Sequence, residues 1–175
     1  MTSYPAPHGP HGSLVEADRA RRRAEPADRA GREATRRGIA LVRAYARGDS
    51  ATIAAALDTP DPAVRSQLPS VTGDVLRLVV GIVLSGPRTL TPADVVRTAD
   101  RLAAAGPPHH EPAATRAVRA WAGRDDAALR TSWQDETGGA HGTAVLAAAL
   151  AVAAWGEAPF LDLLAAFDEL TAVGG

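Results

Sequence analysis

The sequence predicts an all-α fold: one Ala-rich bundle of about eight helices behind a disordered N-terminal tail. Three observations carry that expectation. Ala supplies 39 of the 175 residues, and Ala, Leu and Arg are strong helix formers. No run alternates β-branched or aromatic residues with polar ones as a half-buried strand would. Capping residues, Pro and Gly recur at helix-length intervals along the chain.

The tail is the first element. Residues 1–38 hold two large aliphatic residues, Leu14 and Val15, whereas residues 39–175 hold 33 Leu, Ile, Val or Phe. So little apolar surface cannot offset the entropy of ordering a chain. Residues 1–33 therefore read as a disordered Arg-rich tail, with a nascent helix from about Asp28, and residues 34–175 as the folded domain.

The helices follow from punctuation. The first is expected over Ala34–Arg47, stopped by Gly48. Asp49 or Ser50 caps a second that ends near Asp58, before Thr59-Pro60-Asp61-Pro62. A fragment over Ala63–Leu68 precedes a third helix, Gly73–Ser85. Thr91 caps a fourth, with Pro92 at its first position, where the missing N–H costs nothing. The fifth is placed at Ala113–Ala122 and the sixth at Asp125–Trp133. Gly138-Gly139 reads as a break before the seventh, Thr143–Trp155, and the eighth runs Pro159–Ala172.

A repeat lies underneath this pattern. Val42-Arg43-Ala44-Tyr45-Ala46-Arg47-Gly48-Asp49-Ser50-Ala51 aligns with Val118-Arg119-Ala120-Trp121-Ala122-Gly123-Arg124-Asp125-Asp126-Ala127, with six identities in ten. Two packed copies of a four-helix unit would explain it. Easy matching among Ala-rich amphipathic helices would explain it equally well.

Composition excludes several functions. There is no Cys, hence no disulfide, thiol nucleophile, Cys zinc site or iron–sulfur cluster. The net charge of −1 excludes a strongly basic nucleic-acid protein at the level of the whole chain. It also hides an asymmetry, because residues 1–37 carry eight Arg against five acids and the remainder eleven Arg against fifteen. The longest unbroken apolar run, Ala144–Trp155, is twelve residues, short of the ~17–25 a bilayer requires. No membrane partner and a cytoplasmic location are the expectation.

Candidate chemistry is sparse. His109-His110-Glu111 carries imidazoles and a carboxylate, good ligands for zinc, nickel or iron, but Pro107-Pro108 and Pro112 place it in a loop. His141, in Gly138-Gly139-Ala140-His141-Gly142-Thr143, sits in what reads as a Gly-rich loop opening the most apolar helix, a place where N–H groups could meet an anion. No Lys occurs in the chain, so no phosphate-binding P-loop exists. No Ser has a nucleophile-elbow context, and the carboxylate clusters fall at helix starts, where they serve as caps. No catalytic residue, metal site or cofactor is assigned. Trp121 and Trp133, with the other aromatics, read as core anchors or as the rim of a partner-binding face. Arg19, Arg21, Arg22 and Arg23 are candidate phosphate contacts.

The sequence thus reads as a non-catalytic α-helical interaction or regulatory module whose partner is another protein or a second copy of itself. Two alternatives stand beside it. One is a nucleic-acid-associated protein using the Arg arm. The other is an enzyme or small-ligand binder with its site near His141 and the 107–112 loop.

Overall fold

Fifteen consecutive residues, Gly138–Val152, are all buried. A helix apolar all round belongs in the middle of a fold, and the rest of the molecule is arranged about this one. The computed structural model describes residues 11–86, 90–132 and 136–173, with side chains over 29–86, 90–132 and 138–166. Its eight α-helices are α1 (His11–Arg47), α2 (Ser50–Leu57), α3 (Pro62–Ser85), α4 (Pro92–Ala103), α5 (Glu111–Ala122), α6 (Asp126–Ser132), α7 (Glu136–Trp155) and α8 (Glu157–Val173). A 3-10 turn, Pro108–His110, leads into α5. Among the described residues there is no strand. The all-α bundle is as the sequence predicts.

Central α7 touches α1, α3, α4, α5, α6 and α8. Glycine lets α5 come close: a Cβ on Gly142 would lie 3.2 Å from the Ala117 Cβ and 3.5 Å from the Ala113 carbonyl oxygen. This corrects the seventh-helix expectation. Gly138-Gly139 does not break the chain but lies in the first turns of α7, and His141 is on a buried helix rather than a loop. Intrinsic propensity disfavours Gly by about 1 kcal/mol per residue, and close packing on every side outweighs it.

α3 is a second correction. The fragment at 63–68 and the helix at 73–85 are one helix that continues through Pro69. Its buried residues Val64, Leu68, Thr72, Leu76, Val79 and Val83 form one stripe at helical spacing, so packing carries the helix across Pro69 and Gly73. Asp61 caps it, accepting from Ala63 N–H at 2.8 Å. Buried within the stripe, the Thr72 and Thr143 hydroxyls meet at 2.6 Å. One hydroxyl donates to the other, which in turn donates to its own helix; the carbonyls in reach are Leu68, 3.0 Å from Thr72, and Gly139, 2.7 Å from Thr143.

α1 begins at His11 rather than Ala34, and Ala30 is the first buried residue among the described side chains. Ala30 and Ala34, one turn apart, are buried with Val64. The contact surface therefore reaches into the segment assigned to the tail, close to the Asp28 start of the nascent helix. Residues 1–10 lie outside the described residues. Gly38 sets the α1–α3 crossing, since a Cβ there would fall 2.5 Å from Val71 Cγ1.

The two aligned corners share one turn geometry. At the first, Gly48 has φ +68° and Asp49 N–H bonds the Ala44 carbonyl at 2.9 Å. At the second, Arg124 has φ 54° and Asp125 N–H bonds the Ala120 carbonyl at 2.9 Å. In each, the Asp side chain caps the next helix, accepting from Thr52 N–H at 3.0 Å and from Ala128 N–H at 2.9 Å. The surroundings differ, because Tyr45 is fully buried and Trp121 only partly.

Among the described residues, two segments, Pro62–Ser85 and Gly138–Trp155, are long and apolar enough to cross a bilayer by length and composition. The sequence count stopped at interruptions that the helices run through. In the fold they differ sharply: 89% of the α7 window is buried, against 22% of the α3 window.

Candidate functional site

The fold gathers His109, His110 and His141, which are some thirty residues apart in sequence. α7 carries His141 into the core, and the turn before α5 lays the other two imidazoles over it. Ring centroids are 4.0 Å apart for His109–His110 and 5.2 Å for His110–His141. Tyr45 of α1 completes the series, its ring 5.2 Å from His141 and edge-on to it. The rings run from exposed His109 through half-buried His110 to His141 and Tyr45, both with 0% exposure.

Hydrogen bonding orients the inner pair. The Tyr45 hydroxyl contacts His141 Nδ1. Burial pushes the Tyr45 pKa up, so the phenol keeps its proton and donates it to an unprotonated Nδ1. That places the neutral imidazole's hydrogen on Nε2, a buried atom with no hydrogen-bond partner among the described residues. The imidazole is held neutral: its pKa falls from the ordinary 6.5 to about 4. Burial is the main cause, positive charge on His110 and His109 adds to it, and the His110 backbone opposes it. Gly106, after α4, closes the cluster. A Cβ there would fall 2.7 Å from the Tyr45 hydroxyl and 3.0 Å from His141 Cε1.

Chemically this is a polar plug. An imidazole with a pKa near 4 is a weak base at neutral pH, and its Nδ1 is committed to Tyr45. Among the described residues no group of three His, Asp or Glu side chains could hold a metal ion. The Gly-rich loop expected at His141, a place where an anion could bind, does not exist, because those residues are helical and buried.

The remaining sequence candidates are not brought together. Trp121 packs half-buried against the core, while Trp133 lies outside the described residues. Arg19, Arg21, Arg22 and Arg23 fall on the α1 segment whose side chains are outside the description. Farther along, Arg36 and Arg37 both bind Glu33, at 2.7 Å for each ion pair, and hold its carboxyl down at about 2. Arg37 also donates to the Ala55 carbonyl at 2.9 Å, tying α1 to α2.

A different surface went unread in the sequence. α3 bears a second apolar stripe, Val71, Val75, Leu78 and Ile82, beside the one buried on α7. With Thr35 and Ile39 of α1 and Phe160, Leu163 and Leu164 of α8 it lines an open cavity of about 250 Å³. Leu78 is 51% exposed, Ile82 41%, Leu84 80% and Leu163 45%. The signal was there: a helix with one apolar stripe packs on one side, and α3 has two. Comparison with family models, with curated proteins and with solved structures finds no match to this chain.

Proposed function

We propose that the chain is a non-catalytic helical interaction module that works by seating an apolar helix surface on the α3–α8 face. One observation carries this reading: three large aliphatic side chains, Leu78, Ile82 and Leu163, stand exposed together along an apolar groove. Contiguous exposed apolar surface marks interaction sites, and a groove flanked by helices suits a helical ligand. The polar cluster around His141 supports the same reading, since its reactive nitrogen is occupied and its role is to hold α1, α7 and the 107–110 turn in place.

Affinity capture from native lysate tests it. The wild-type chain, a Leu78→Glu/Leu163→Glu variant and an Arg130→Ala control on distant α6 would be compared. Bound species retained by wild type and control and lost from the double variant are expected. The same species on all three would refute the proposal.

A further inference from the structure

A second cavity, of about 850 Å³, lies between α5 and α6 and shares no lining residue with the α3–α8 groove. Much of its lining is small: Ala113, Ala120 and Gly123 of α5 and the turn after it, Ala128 of α6, and Gly138 at the start of α7. Arg116 and Arg119, about one turn apart and both exposed, border it from α5. We infer that this cleft binds a small phosphate ester of nucleotide size. The two guanidinium groups hold its phosphate, and the small-residue floor takes its apolar body.

The aligned α1–α2 corner shows the same place filled. In the register that pairs Val42 with Val118, Arg37 corresponds to Ala113, Arg43 to Arg119 and Ala55 to Thr131. Arg37 bridges α1 and α2, donating to the Ala55 carbonyl at 2.9 Å, and Glu33 at 2.7 Å balances its charge. Arg43 donates to the Leu164 carbonyl of α8 at 3.2 Å. That corner therefore has its own plug and its own acceptors. At α5–α6 the plug position is Ala113, which leaves the space open, and His109 takes the position of Glu33. Arg116 and Arg119 have no hydrogen bond or ion pair among the described residues.

The other polar side chains of the lining are committed. Asp125 accepts from Ala128 N–H at 2.9 Å, and the Thr131 and Ser132 hydroxyls donate to carbonyls of their own helix at 3.0 and 2.7 Å. The donors offered to a ligand are thus two guanidinium forks, whose geometry matches phosphate oxygens in pairs. Two cations against the single Asp125 carboxylate favour an anion. The volume falls within the roughly 300–1,000 Å³ of small-molecule sites and exceeds what bare phosphate fills. Guanidinium planes also stack on aromatic rings, so a nucleotide meets both the charge and the space.

Amide NMR titrations of the full chain with AMP, adenosine and inorganic phosphate, each to about 5 mM, test the site. AMP should shift amides of α5 and α6 saturably, about tenfold or more tighter than adenosine or phosphate, with affinity falling as salt rises. Arg116→Ala and Arg119→Ala change exposed side chains and should each weaken AMP about tenfold, with helicity by circular dichroism unchanged. Ala113→Arg puts the α1–α2 plug into the cleft and should abolish binding. Absence of AMP binding over this range would overturn the inference. So would adenosine or phosphate bound as tightly as AMP, shifts centred elsewhere in the chain, or AMP affinity indifferent to both arginine variants. A short single-stranded oligoadenylate that displaces AMP at far lower concentration, and is lost with the same arginines, would overturn the free nucleotide in favour of a nucleic-acid strand.

Discussion

Replacing His141 by Gln removes a buried imidazole and leaves an acceptor for the Tyr45 hydroxyl, so the two proteins should differ chiefly in how stability responds to acid. In the folded chain His141 takes its proton at about pH 4, against 6.5 for an ordinary histidine. Between those values the unfolded chain binds more protons than the folded one, so stability rises with pH across the window. The contribution is complete above about pH 6.5, is lost as pH falls, and levels off below about pH 4. A gap of that size is worth about 3 kcal/mol when fully expressed, roughly half of it gone by pH 5.5. Urea unfolding at pH 7, 5.5 and 4 measures it. Wild type should lose about 3 kcal/mol more than His141→Gln between pH 7 and 4, after the shared carboxylate titration cancels in the comparison. Parallel stability curves for the two proteins would refute the buried neutral histidine.

Other substitutions probe the close contacts. Gly106→Ala drives a methyl into the Tyr45 hydroxyl and His141 Cε1 and should cost about 1–3 kcal/mol in thermal or urea unfolding. Gly38→Ala presses on Val71, whose branched side chain has little freedom to yield, and should cost a similar ~1–3 kcal/mol; an unchanged midpoint in either would mean the crossing is looser than described. Asp49→Ala removes the α2 cap and should lower stability by about 1 kcal/mol, read in the same assay, whereas Asp49→Asn should retain most of it.

Much of the architecture was legible where local chemistry decides the outcome. Thr91 caps α4 and Pro92 opens it, and the Gly48-Asp49 and Arg124-Asp125 corners turn where the pattern placed them. Local rules failed where tertiary packing overrides propensity. Gly138-Gly139 reads as a break by composition, yet small residues are what let six neighbouring helices crowd onto α7, and the same crowding carries α3 through Pro69. The site was legible in its members only. His109, His110 and His141 were all candidates, but no spacing rule joins the 107–110 turn to the second turn of α7 or names Tyr45 as the partner of His141. Starting that helix at Gly73 detached Val71 from its second stripe, and the exposure of Leu78 and Ile82 follows from tertiary packing that no local pattern shows.

Hydrogen exchange on the native chain tests most directly the claim that α7 is the continuous buried axis of the bundle. Amides from Ala140 to Leu150 should be the slowest in the molecule, exchanging only through global unfolding, with the Ala140–Gly142 segment as protected as the rest. Rapid exchange over Gly139–Gly142, as from an open glycine loop, would contradict the buried helix and the polar cluster built on it.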